Sequence, residues 1–198
     1  MCLAVQYDDG IEMGHWDILK EMIRVRSFQR KEEPQFVLSS GNKSRFYFNL
    51  KKVSTTPEGM YHIGHVVLHK IKELGLKPKA VGGLTMGADP IAMSTAMISY
   101  LTDASNAMQA FMIRKEAKEY GLGLQIEGDV KAHDDVIIID DVVTTGASTI
   151  KAIDAAREYG LHIMAVIVLV DRCEENGREN IEAKRVEVHS IYTIHDFI

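Results

Sequence analysis

The 198-residue chain is 46% hydrophobic and 26% charged and carries a net charge of −5, the balance of a soluble globular domain and the wrong sign for a protein that grips nucleic acid. A chain of this length buries roughly 70% of its unfolded surface, so one domain with a small appendage accounts for it without staples. Two cysteines, Cys2 and Cys173, make neither a disulfide framework nor a zinc spacing, which points to a reducing cytoplasm.

Along the chain, Trp16, Leu19, Met22 and Ile23 recur on one helical face, and Lys31-Glu32-Glu33-Pro34 is expected to end that helix. Phe36-Val37-Leu38 and Phe46-Tyr47-Phe48 read as short strands joined through the turn residues Ser39-Ser40-Gly41-Asn42, a hairpin. Residues 1–55 are taken as a small N-terminal lobe and 56–198 as the main body. Thr56-Pro57 caps a helix carrying Met60, Ile63, Val67, Ile71 and Leu74 at spacings of three and four. Short strands are expected at 80–82 and 110–113, with a helix opening at Asp89-Pro90 between them. The β-branched run Val136-Ile137-Ile138-Ile139 suits a strand covered on both faces. A helix over 148–159, a strand over 162–170 and a last, edge strand over 186–194 complete the series. Strands separated by helices imply right-handed parallel crossovers, hence a doubly wound, mostly parallel α/β sheet flanked by helices. The segment 1–10 lacks the basic and apolar stretches of a secretory signal, and the longest apolar run, 163–170, is too short to span a bilayer as a helix.

The segment Asp140-Asp141-Val142-Val143-Thr144-Thr145-Gly146-Ala147-Ser148 carries the chemistry. Ligands of open α/β sheets sit beyond the carboxyl ends of strands, and here a buried strand is expected to end in two carboxylates. Carboxylates accept hydrogen bonds from vicinal hydroxyls and help hold a magnesium ion otherwise bound by water and substrate oxygens. The hydroxyls and backbone N–H groups of Thr144, Thr145, Gly146, Ala147 and Ser148, at a helix start, form a cradle for a phosphate. A plain polar turn would not combine these features. The segment resembles the phosphoribosyl-pyrophosphate signature of type I phosphoribosyltransferases, which transfer ribose phosphate to a base and release pyrophosphate.

Four further segments narrow the resemblance: the 36–48 hairpin, Arg114-Lys115-Glu116-Ala117-Lys118-Glu119-Tyr120-Gly121, Ile126-Glu127-Gly128, and Asp171-Arg172-Cys173-Glu174. Together they are similar to the orotate phosphoribosyltransferases of pyrimidine (UMP) synthesis, from about Phe36 onward. The resemblance implies the type I fold with the N-terminal lobe as a hood on the base side, phosphoribosyl pyrophosphate and orotate as substrates, Mg2+ as cofactor, and a homodimer. It makes Lys118 a catalytic candidate beside Asp140 and Asp141, with Arg114 and Lys118 reaching the partner's site and Lys115 serving its own. Tyr120 stands where relatives often carry histidine. Arg172 would bind the base bidentately, with Tyr47, Phe48 and Thr144 beside it. Independently of any family, 114–128 is a long polar stretch of the kind found in lids. The turn Gly82-Gly83-Leu84-Thr85-Met86-Gly87-Ala88-Asp89 suits pyrophosphate oxygens; some relatives have a lysine there and this chain has none. A purine phosphoribosyltransferase, or a non-catalytic nucleic-acid-binding regulator of the same fold, stays open at this level. His62, His65 and His69 share a helix without a Cys or acidic fourth ligand, so no zinc site is expected.

Overall fold

Leu19, Met22 and Ile23 draw the first helix, α1 (Asp9–Arg26), onto the body of the chain, where all three are buried. The computed structural model describes residues 9–38, 41–116 and 125–198. The helix stops at Arg26, short of the expected 31–34. Phe28–Arg30 (β1) leaves it to meet the phenylalanines further along. Phe36–Val37 (β2) and Lys43–Ser44 (β3) pair with each other, closed by the Leu38 N–H donating to Asn42 O at 2.8 Å and by Gly41 at φ 90°. Phe46–Phe48 (β4) is thereby left for β1, antiparallel with Phe28 opposite Phe48. The hairpin expected between 36–38 and 46–48 is thus corrected to two separate pairings. The cause is the Phe28 ring, which lies 5.0 Å from Phe48 and 5.8 Å from Phe197, an aromatic cluster that this pairing brings together.

A short helix, α2 (Lys51–Ser54), precedes α3 (Pro57–Glu73). Thr56 caps α3, its hydroxyl accepting from Gly59 N–H at 3.1 Å and donating to Val53 O at 2.8 Å. The histidines of α3 serve its seam with α1. His15 Nδ1 lies 2.7 Å from His62 Nδ1, the His15 ring stacks on His65 at 4.1 Å, and Trp16 meets His69 edge-on.

From there strands and helices alternate: β5 (Ala80–Leu84), α4 (Asp89–Thr102), β6 (Gln109–Ile113), β7 (Ile126–Gly128), β8 (Asp135–Val143), α5 (Ala147–Glu158), β9 (His162–Asp171), α6 (Gly177–Glu182) and β10 (Val188–Thr193). The sheet order is β10-β9-β8-β5-β6-β7, parallel except for β7, which returns antiparallel to β6. The polar stretch after Arg114 therefore ends in a strand of its own. β8 shows why the sheet is doubly wound. Ile137 and Ile139 join one core with α1, α3 and α4, which holds Leu19, Ile63 and Ile91. Val136 and Ile138 point the other way, into a core with Ala152, Ile153 and Ile181 of α5 and α6. Alternate residues of one strand thus serve both layers. Phe48 lies in the first core, so the N-terminal segment packs on the same apolar centre as the sheet.

Loss of the Thr56 hydroxyl removes an N-cap and a tie to α2. Thr56→Ala is expected to lower stability by about 1–2 kcal/mol, with Thr56→Ser retaining most of it, as read from urea unfolding midpoints.

Candidate active site

The strand β8 runs on to Val143, so Asp140 and Asp141 lie two to three residues before its end. Their side chains alternate, and the pair is asymmetric. Asp140 is 5% exposed. One of its oxygens accepts from Ser148 Oγ at 2.8 Å and Thr149 Oγ1 at 2.6 Å, and the other from the Asp141 N–H at 3.0 Å. Burial, and then the neighbouring Asp141 carboxylate, push Asp140 up to about 6 against the pull of those donors. Asp141 faces outward. Its Oδ1 accepts from Val142 N–H at 2.9 Å, and its Oδ2 lies 3.7 Å from Lys51 Nζ.

The cradle begins one turn later. Gly146 adopts φ 78°, ψ 2° and caps α5 from a left-handed conformation, which glycine reaches without strain. Ala147 is exposed, its N–H donating to Thr145 Oγ1 at 3.3 Å, while Ser148 turns its hydroxyl inward to Asp140. Helix α6 buttresses the loop. Asn180 Nδ2 donates to Thr145 O at 3.0 Å, Gly177 abuts Thr144 O, and a side chain at Gly146 would fall 2.8 Å from Gly177 O. The 82–89 turn closes the other side, since a Cβ on Gly87 would lie 2.6 Å from Asp141 Oδ1.

Arg172 follows β9 and is tied to the end of β8, its N–H donating to Val143 O at 3.0 Å. Its guanidinium is 5% exposed. Nη2 donates to Ser44 Oγ at 3.0 Å and Phe46 O at 2.9 Å and lies 2.7 Å from Glu174, while Nε has no hydrogen-bond partner among the described residues. Ser44 in turn donates to Glu174 at 2.8 Å, and Asn42 to Glu175 at 2.6 Å. Tyr47 and Phe48, expected together, part company. Tyr47 is 39% exposed and stacks on Phe36 at 5.4 Å, whereas Phe48 is 8% exposed and packs on Phe28 and Phe197. The alternation of β4 sends one ring to the surface and the other into the core. Arg114 and Lys115 are exposed at the end of β6, with Arg114 Nη1 3.6 Å from Glu127. Lys118 and Tyr120 lie outside the described residues.

Sequence reading missed Lys51, Ser44, Glu174 as a partner of Arg172, and the whole of α6. Glu174 stands in the quoted Asp-Arg-Cys-Glu segment, but nothing local joins it to Ser44. Among the described residues no group of three or more His, Cys, Asp or Glu side chains could hold a metal ion, and no helix is long and apolar enough to cross a membrane. With both Asp140 oxygens engaged, Asp141 is the carboxylate left facing out. That donor set fits a magnesium ion arriving with a phosphorylated substrate, held largely by substrate and water oxygens.

Residues 49–197 match the family model of the phosphoribosyl transferase domain. The orotate phosphoribosyltransferase of Aquifex aeolicus is 44% identical over 180 residues, 91% of this chain and 96% of that protein. That of Rhodopirellula baltica is 36% identical over 183 residues, 90% and 93% of the two chains. Among solved structures, Mycobacterium tuberculosis orotate phosphoribosyltransferase in complex with 5-phospho-α-D-ribosyl 1-diphosphate superposes with a TM-score of 0.73 at 27% identity, covering 92% of this chain and 98% of its own.

Two outcomes follow from the geometry. Donors to Asp140 favour its carboxylate form, so Thr149→Val takes away a stabilising hydroxyl and raises its pKa further. The acid limb of kcat/KM, expected near the value of about 6, moves up by roughly one pH unit in the variant, whereas an unchanged limb would remove Asp140 from the rate law. Phe48→Ala is expected to destabilise the fold by about 3–4 kcal/mol, while Tyr47→Ala stays within roughly 1 kcal/mol and acts on substrate affinity instead; chemical denaturation read beside steady-state kinetics separates them.

Proposed function

We infer that this chain, which belongs to the phosphoribosyl transferase family and within it to the orotate phosphoribosyltransferases, transfers ribose 5-phosphate from phosphoribosyl pyrophosphate to orotate. The products are orotidine monophosphate and pyrophosphate, a glycosyl transfer of pyrimidine synthesis. The observation that carries the reading is the outward carboxylate of Asp141 beside a helix start capped by left-handed Gly146, a ribose grip and a phosphate cradle in one continuous segment.

In the reaction the bond from the sugar's anomeric carbon to the pyrophosphate oxygen breaks. A bond forms from that carbon to a ring nitrogen of orotate, which gives up its proton. Positive charge gathers on the sugar as the first bond lengthens. Asp141, with Asp140 behind it, accepts from the ribose hydroxyls and opposes that charge, by analogy with other glycosyl transfers. The N–H groups of Thr144, Thr145, Gly146, Ala147 and Ser148, with the hydroxyls of Thr144 and Thr145, hold the 5-phosphate, while the Ser148 hydroxyl stays on Asp140. Arg114, Lys115 and Lys118 neutralise the departing pyrophosphate, and closure of their loop excludes water that would hydrolyse the donor. Tyr120 stands where relatives often carry histidine, so this chain has no imidazole at that position. Arg172 takes the base, its buried Nε, without a hydrogen-bond partner among the described residues, supporting a planar contact, with Tyr47 at the surface. Magnesium, when bound with the donor, offsets charge on the diphosphate.

A homodimer completes the reading. Met93, Met97, Tyr100 and Leu101 are exposed on α4, and Met86 is exposed in the turn before it. An apolar stripe of this kind fits a second copy of the chain. The acidic net charge supports small anionic substrates handled at local cations rather than nucleic acid, and the cytoplasm is the compartment that fits a sequence with two cysteines and no disulfide framework.

The test mixes purified protein with orotate, phosphoribosyl pyrophosphate and magnesium and follows orotate absorbance. Loss that needs all three, with one pyrophosphate released per orotate consumed, is the expected result. Persistence of orotate while the donor binds and purine bases are consumed would overturn the choice of base.

A further inference from the structure

The 82–89 turn faces the place where pyrophosphate departs, yet its one charged residue is Asp89. The Asp141 carboxylate lies against Gly87 of that turn, so a diphosphate there would meet negative charge and no cation of the turn's own. Lys51 reaches the same carboxylate. Its ammonium lies 3.7 Å from Asp141 Oδ2, beyond the usual length of a charge-assisted hydrogen bond, and its side chain is 50% exposed. The same carboxylate abuts the turn, where a Cβ on Gly87 would come within 2.6 Å of Oδ1 and 3.0 Å of Oδ2. Lys51 and the 82–89 turn therefore meet at one carboxylate. Lys51 also grows from a fixed base. Leu50 and Val53 are buried at 2% and 1% exposure, and the Thr56 hydroxyl ties Val53 O to the cap of α3 at 2.8 Å. A cation held on a rigid element with donors to spare is arranged for an anion that the turn alone would repel.

We propose that Lys51 binds the diphosphate of the sugar donor, supplying from α2 the positive charge that the 82–89 turn lacks. The inference rests on the phosphoribosyl transfer described above and adds a donor-binding residue to it. The plainer role for Lys51 is a surface ion pair with Asp141, of little energetic weight. The two roles differ in what they do to substrates.

The experiment measures both directions of the reaction, with magnesium, for the wild type and for Lys51→Ala, Lys51→Met and Lys51→Arg. Lys51→Met keeps the apolar stem over α2, so a loss shared with Lys51→Ala belongs to the charge. The expected result is a rise of about tenfold or more in KM for phosphoribosyl pyrophosphate and, in reverse, for pyrophosphate. KM for orotate and for orotidine monophosphate stays within about twofold, Lys51→Arg recovers most of the loss, and melting temperatures remain within roughly 2 °C of wild type. An unchanged donor KM in Lys51→Ala, or equal shifts for donor and orotate, would overturn the assignment of Lys51. A wild-type protein without turnover would instead overturn the reaction itself.

Discussion

The buried carboxylate of Asp140, clasped by Ser148 and Thr149, is the interaction on which the rest of the site depends. It lies in the central strand and its two hydroxyl donors lie in the first turn of α5, so it sets that helix start relative to β8. The cradle between them can take only the conformations that this clasp permits. The arrangement works against stability. A carboxylate raised above its ordinary value favours the folded state only when protonated, so its contribution is complete below about pH 4 and is lost as pH rises through about 6. At neutral pH the fold carries this ionised group because the two cores of the sheet, with every residue from Val136 to Ile139 at 1% exposure or less, have the stability to hold it.

The two halves of the site are built differently. Around Asp140, strand, carboxylates, loop and helix follow one another within a single stretch of chain, and Gly177 and Asn180 of α6 only brace it. Arg172, by contrast, is positioned by Ser44 and Phe46, which come from the other end of the sequence. The first half depends on local geometry, the second on the fold having brought distant segments together.

That difference explains what could be read in advance. The β-branched run of β8, the Thr56 cap and the segment from Asp140 to Ser148 announce themselves through spacing and turn chemistry, which act over a few residues. The pairing of β1 with β4 does not, because strands of three residues carry little periodicity and their partner is chosen by Phe28, Phe48 and Phe197 meeting in one cluster. Nor does the division between Tyr47 and Phe48, which turns on which face of β4 meets the core. Lys51 and α6 were silent for the same reason. Their meaning lies in contacts with Asp141 and Thr145, far along the chain.

The ties from Asn42 and Ser44 to Glu175 and Glu174 span 133 and 130 residues of sequence. Loop closure over such a distance is entropically slow and is rewarded only once the intervening sheet is in place. Folding is thereby ordered: the segment from Asp140 to Ser148 can consolidate locally, while the surroundings of Arg172 form when the first and last quarters of the chain meet. A nascent chain still lacking its final quarter has no Arg172 to position. The surroundings of Arg172 are thereby completed last, after the sheet that separates their two halves in sequence is in place.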